Sequence, residues 1–248
     1  MNKKEPLGYA VKFAVAATLS ILIIFALGFT FTSYLKSKNS STPLPVFDNT
    51  DKIRFVIDPG HGGEDAGAVA ADGTLEKDLN LKISTLLASI LELNGNRVTL
   101  TRKNDSLLYD KYGDLDDYTG KKKVYDLKNR LRLAEEHENS IYVGIHMNKF
   151  PLEKYCGLQV YYSPNNELSY QIAADVQSTV QESLQAQNKR SIKRADSSIF
   201  ILHKAKIPAV LIECGFLSNQ NELALLKDES YQLSLALNLF SALSGYGK

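Results

Sequence analysis

Strands alternating with amphipathic helices predict an α/β fold: a twisted, mostly parallel sheet with helices on both faces. Three observations lead there. Short apolar runs recur at 53–57, 141–145 and 208–212. Segments of helical spacing separate them, as at Leu79, Ile83, Leu86, Leu87, Ile90 and Leu91. Residues able to do chemistry follow the ends of those runs, where sheets of this kind gather their working groups. One N-terminal transmembrane helix is expected ahead of this domain.

The 23 residues from Phe13 to Leu35 carry no charge, and as a helix they would reach roughly 34 Å, enough for a hydrocarbon core of about 30 Å. Lys3, Lys4 and Lys12 precede the run, which favours a cytoplasmic N-terminus over 1–12 and everything after Leu35 outside the cytoplasm. The run ends in Gly28-Phe29-Thr30-Phe31-Thr32, with no small-x-small cleavage pair. An uncleaved anchor over 13–35 is therefore favoured above a cleaved secretion signal. Ser37, Ser40, Ser41, Pro43 and Pro45 mark 36–51 as a linker. The folded part is expected over 52–248.

Ile53–Ile57 reads as a buried strand stopped by Pro59-Gly60. Leu75–Leu93 reads as a helix capped by Asp72 or Thr74 and ended by Asn94-Gly95. Arg97–Thr101 is the next strand, and Lys103–Lys123, rich in Asp, Lys and Gly, reads as a surface loop. A helix over Val124–His137 leads to strands at Ile141–Ile145 and Leu158–Tyr162. A helix over Leu168–Leu184 follows, then strands at Ser198–Leu202 and Pro208–Ile212. Helices around Asn221–Leu226 and Tyr231–Leu243 complete the chain.

With 29 basic and 28 acidic residues, the net charge of +1 gives no argument for nucleic acid. Cys156 and Cys214 lack CxxC spacing, so neither a zinc knuckle nor a disulfide framework follows. Cys214 continues an apolar strand and reads as a small buried hydrophobe.

Four side chains stand out. His61 sits in Ile57-Asp58-Pro59-Gly60-His61-Gly62-Gly63, Glu76 opens a helix, His146 closes 141–145, and Glu213 closes 209–212. A hydrolytic zinc site takes three ligands from His, Glu, Asp and Cys and keeps one position open. It also needs a carboxylate to move the proton of the attacking water. This chain supplies both, which reads as a metal-dependent hydrolase. Taken singly, a strand-end histidine is more often structural and a first-turn glutamate a partner of the helix dipole. An unpaired carboxylate such as Glu213 in an apolar strand is harder to explain without a function.

The ordered pattern closely resembles the zinc-dependent N-acetylmuramoyl-L-alanine amidases of the amidase-3 family, from about Arg54 to Tyr246. The matching stretches are Val56–Gly63, Leu75-Glu76-Lys77-Asp78, Thr101-Arg102, Ile145-His146-Met147-Asn148 and Pro208–Asn219. The resemblance implies one zinc ion (Zn2+) per chain on His61, Glu76 and His146, with Glu213 as the catalytic glutamate. It implies peptidoglycan as substrate, cut at the amide between N-acetylmuramic acid and L-alanine of the stem peptide.

Asn148, Arg102 and His203 are expected to touch substrate or support a ligand. Arg102 and Arg130 match arginines common in the family and are expected in structural ion pairs. His203 stands where relatives usually carry a more basic side chain, and His137, in Glu135-Glu136-His137-Glu138, reads as a solvated face. Met147 and Asn148-Lys149-Phe150-Pro151 resemble the spore-cortex, CwlD-like branch. That branch implies stem-peptide removal ahead of muramic δ-lactam formation, a location in the cell wall or forespore intermembrane space, and for some members an activating protein partner.

Two other readings stay open from the sequence. A zinc exopeptidase would hold a fixed cation for a C-terminal carboxylate, with Arg102 or Lys204 facing the cleft. A non-catalytic, membrane-tethered peptidoglycan-binding protein would carry a decayed site, yet all four key side chains are present.

Overall fold

The computed structural model describes residues 52–247, all within one compact unit. The expected membrane segment at 13–35 and the linker at 36–51 lie outside the described residues. Among the described residues no helix is long and apolar enough to cross a membrane.

The chain runs β1 (Arg54–Pro59), α1 (Glu76–Leu93), β2 (Arg97–Leu100), α2 (Lys122–Ala134), β3 (Ser140–Asn148) and β4 (Gln159–Tyr162). It continues α3 (Glu167–Ser183), β5 (Lys193–Arg194), α4 (Phe200–Lys204), β6 (Ala209–Phe216), α5 (Gln220–Lys227) and α6 (Glu229–Leu243). One sheet of six strands has the order β2-β1-β3-β6-β4-β5. Strands β2, β1, β3 and β6 are parallel, β4 runs antiparallel to β6, and β5 parallel to β4. This is the α/β fold expected from the sequence.

Alternation along the strands decides the two faces. Phe55, Ile57, Ile141, Val143, Ile145, Val210 and Ile212 join the larger core with α1, α3 and α6 residues such as Ile83, Leu87, Ile172, Val176, Leu235 and Leu239. Val56, Tyr142 and Ala209 point the other way and pack with Ala134, Ile201 and Leu202 of α2 and α4. The central strands are therefore apolar on both sides, which is why they read as continuous runs. Cys156 and Cys214 are both free thiols, Cys214 buried.

Three expectations need correction. The segment Ser198–Leu202 is not a strand: Phe200–Lys204 forms a short helix. An apolar run of this length fits either state, and here Asp196 turns the chain by accepting the Ser198 N–H. Neither Asp72 nor Thr74 caps α1: Leu75 holds the cap position with no side-chain bond. The loop backbone does that job, with Glu76 N–H donating to Ala68 O and Lys77 N–H to Ala66 O. Finally, β3 and β6 run past the ends expected for them, so His146 and Glu213 lie within strands and face each other in register.

Candidate metal centre and active site

β1 ends at Pro59, and the turn after it throws His61 back over the ends of β1 and β3. His61 has φ +63°, the one non-glycine residue in that region among the described residues. Such a conformation costs on the order of 1–3 kcal/mol and persists only where neighbours enforce it. Arg130 does so from below, donating to His61 O at 2.7 Å and to Pro59 O at 2.9 Å. Gly60 is required by close approach, because a Cβ there would collide with the His146 ring. A Cβ on Gly67 would lie 2.6 Å from both Glu76 Oε2 and His61 Cδ2. Gly60→Ala is expected to displace His146 and weaken metal binding about tenfold or more, measured as zinc affinity against a competing chelator.

Glu76 is the hinge of the site. Its Oε1 lies 3.2 Å from His61 Nε2 and 3.0 Å from His146 Nδ1. Ligand atoms of the three residues all fall within 4.8 Å of one another. Backbone donors fix the carboxylate, Ala68 N–H to Oε2 at 2.7 Å and Met147 N–H to Oε1 at 3.1 Å. Burial alone would raise the Glu76 pKa, but hydrogen bonds and charge from His146 and His61 outweigh it and hold the group well below the usual range. His61 Nδ1 donates to Asp65 Oδ2 at 2.9 Å, which orients the ring and presents Nε2 to Glu76. Two imidazoles and one carboxylate converging in this way match the donor set of a hydrolytic zinc site, with its outer hydrogen bonds already in place.

Glu213 lines a cavity of about 270 Å³ together with His61, His146, Tyr142, Phe200 and Lys123. Its Oε2 is buried and has no hydrogen-bond partner. Loss of hydration is the largest influence and pushes its pKa up to about 7, against the opposing charges of His146 and His61. Glu213 thus offers a carboxyl of raised pKa in the lining of a cavity shared with His61 and His146, the kind of environment in which a general base works.

Residues 55–244 match the family model for N-acetylmuramoyl-L-alanine amidase. The chain belongs to the N-acetylmuramoyl-L-alanine amidase family. This amidase is 31% identical over 226 residues to the germination-specific N-acetylmuramoyl-L-alanine amidase of Bacillus subtilis strain 168, covering 91% of this chain and 90% of that protein. It superposes with a TM-score of 0.71 on the CwlD amidase from Clostridioides difficile, solved in complex with the GerS lipoprotein, at 37% identity over 78% of this chain and 97% of that one. A third likeness is to amidase AmiC2 of Nostoc punctiforme, with a TM-score of 0.64 and 29% identity over 78% and 96% of the two chains.

In the structure of the amidase His61, Glu76 and His146 converge, and Glu213 shares a cavity with the two histidines. Of the three supporting candidates, Arg102 backs the His61 turn and none lines the cavity. Arg102 is buried and donates to four carbonyls, those of Pro59, Gly60, Lys77 and Asn104. It moulds the His61 turn through backbone rather than through the ion pair expected of it. Arg130 does make its ion pairs, with Asp58 at 2.5 Å and Asp126 at 2.8 Å. Asn148 ends β3, and its carbonyl accepts from Leu217 N–H. His203 lies on α4 outside the cavity lining and offers its carbonyl to Asn165. Lys204 also lies outside that lining, so neither cation that would have marked an exopeptidase faces the cavity. His137 is solvent-exposed, as expected. Asp65 went unread in the sequence, although its position four residues beyond His61 in a glycine-rich turn was available as a signal.

Proposed function

We propose that this amidase is a zinc enzyme in which His61, Glu76 and His146 hold one metal ion and Glu213 is the general base, acting on the bond between N-acetylmuramic acid and L-alanine. The observation that carries this is a converging His-Glu-His set whose two histidines share a cavity with Glu213, a carboxyl with one oxygen left unpartnered. When bound, zinc supplies Lewis acidity, drawing charge from a carbonyl oxygen and making a water more acidic. Glu213 accepts the proton of the attacking water and returns one to the departing alanine amine. Asp65 and the Met147 N–H keep His61 and Glu76 aligned through the cycle.

The likeness to a germination-specific amidase supports a role in spore-cortex maturation, in the muramic δ-lactam pathway. The uncharged segment at 13–35 supports membrane anchoring, with catalysis outside the cytoplasm. The complex of a related amidase with a lipoprotein supports an activating protein partner for this chain.

Incubating the full chain with peptidoglycan and zinc tests the reading. Mass spectrometry should find free stem peptides beginning with L-alanine beside intact glycan; shortened stems still attached to muramic acid would overturn it. Chelation should abolish release, and added zinc restore it. His61→Ala and His146→Ala should each lose bound metal, read as zinc per chain.

A further inference from the structure

We propose that Arg190 and Lys193, which flank Glu213 on the antiparallel edge of the sheet, recognise a carboxylate of the stem peptide and so set which stems are cut. The inference rests on the reading of Glu213 as the base of a peptidoglycan amidase and names a specificity element for that site.

Register places Lys193 on the face that carries Glu213, and Arg190 joins it through Gln159. Gln159 of β4 pairs with Glu213 of β6, Tyr161 with Leu211, and Lys193 of β5 with Tyr161. Paired residues share a face of a sheet, so Gln159, Tyr161 and Lys193 lie on the same face as Glu213 and Leu211, beyond the rim of the cavity those two line, and Arg190 lines a separate cavity. Lys193 is exposed, with Nζ 5.8 Å from the centre of the Tyr161 ring. Arg190 is held more firmly: it donates to Gln159 Oε1 at 2.6 Å and lies 4.8 Å from the centre of the Phe216 ring. Gln159 is itself fixed by donating to Ser191 O at 2.8 Å.

The cations make no contact ion pair, although Arg190 lies close enough to Glu213 and Glu222 to act on both carboxyls. Lys189, Arg190, Lys193 and Arg194 place four cations within six residues. Among the described residues, the ion pairs include none to Arg190, Lys193 or Arg194. Arg190 Nε is buried without a partner. Two nearby acids are engaged elsewhere, Asp196 by the Ser198 N–H and hydroxyl and Glu222 by the Gly157 and Phe216 N–H groups. A buried guanidinium N–H left without a partner is accounted for by an anion that arrives with substrate.

Reach selects the anion. Two strand spacings of about 4.8 Å separate β6 from β5, and a peptide covers that distance in about three residues. A stem whose first residue is cut at Glu213 therefore reaches Lys193 of β5 with its next residues, passing β4, where Gln159 holds Arg190. The arginine is preorganised for a carboxylate by its stack and its bond to Gln159.

The test uses the full chain loaded with zinc and three soluble muramyl peptides: one with free carboxylates, one amidated at the second stem residue, and one amidated at the stem C-terminus. Wild type should lose about tenfold in kcat/KM on one amidated substrate, which identifies the carboxylate read. Lys193→Gln should raise KM about tenfold for the free substrate, leave kcat within about twofold, and bring the ratio between substrates close to one. Arg190→Lys, which keeps the charge and loses the stack, should give a smaller rise in KM. Equal cutting of all three substrates by wild type, or discrimination retained by Lys193→Gln, overturns the proposal while the amidase reading stands. Release of no alanine-terminated peptide by wild type overturns both.

Discussion

Glu213→Gln is expected to lower hydrolysis by about 10³-fold while zinc content and fold stay unchanged. Removing a positioned general base costs on the order of 10²–10⁴-fold, and the reaction needs this group twice, to take the water proton and to give one to the amine. Structure gives no reason for collateral damage. Glu213 Oε2 has no hydrogen bond to lose, and glutamine has the same shape. Loss of hydration already disfavours the ionised form here, which is why the pKa rises to about 7. A neutral amide should therefore leave the melting temperature equal to or above that of wild type. The measurement is peptide release per minute alongside zinc per chain and a thermal melt. Activity above a tenth of wild type would remove Glu213 from the mechanism. Loss of zinc would make it a metal-positioning group instead.

How much of this was legible in the sequence depends on what holds each element. The central strands declared themselves because Val56, Ile141, Val143, Val210 and Ile212 are buried on one face or the other, leaving long apolar runs. His61, Glu76, His146 and Glu213 were readable because parallel topology brings the ends of separate strands to one edge. Residues held by backbone geometry were not readable. The cap of α1 is the carbonyls of Ala66 and Ala68, which leave no residue signature. Arg102 serves four carbonyls, and sequence cannot tell that from an ion pair. Strand β5 is two exposed residues, Lys193 and Arg194, with no apolar pattern to mark it. The segment 198–202 failed for another reason: its apolar residues pack in a satellite cluster with Val56 and Tyr142, where a short helix buries them as well as a strand would.

Arg130→Met is the substitution expected to cost most in stability, on the order of 3–5 kcal/mol in urea denaturation at neutral pH. Removing one member of a buried ion pair strands the other, and here it strands two, Asp58 and Asp126. Asp58 retains hydrogen bonds from Thr101 and Tyr142, so the loss is of charge balance rather than of every partner. That difference gives a second signature. In wild type, burial alone would raise the Asp58 pKa, but Arg130, Thr101 and Tyr142 together bring it below the ordinary value of 3.8. A depressed carboxylate adds stability that is complete above its unfolded pKa and lost as pH falls through the folded one. Wild type should accordingly weaken only below about pH 4 on this account. Without Arg130, burial, already the largest single influence on Asp58, is opposed only by Thr101, Tyr142 and His146, and the folded pKa moves above the unfolded one. The contribution then changes sign: it is present at low pH and lost as pH rises. The urea midpoint of Arg130→Met should therefore fall between pH 4 and 7, where that of wild type holds or rises. Asp58→Asn combined with Arg130→Met should cost less than the sum of the two single changes, since the groups interact directly. Because Arg130 also holds the carbonyls of His61 and Pro59, the same variant should bind zinc about tenfold more weakly. A variant with wild-type stability and zinc affinity would show that Asp58, Thr101 and Tyr142 hold the His61 turn without it.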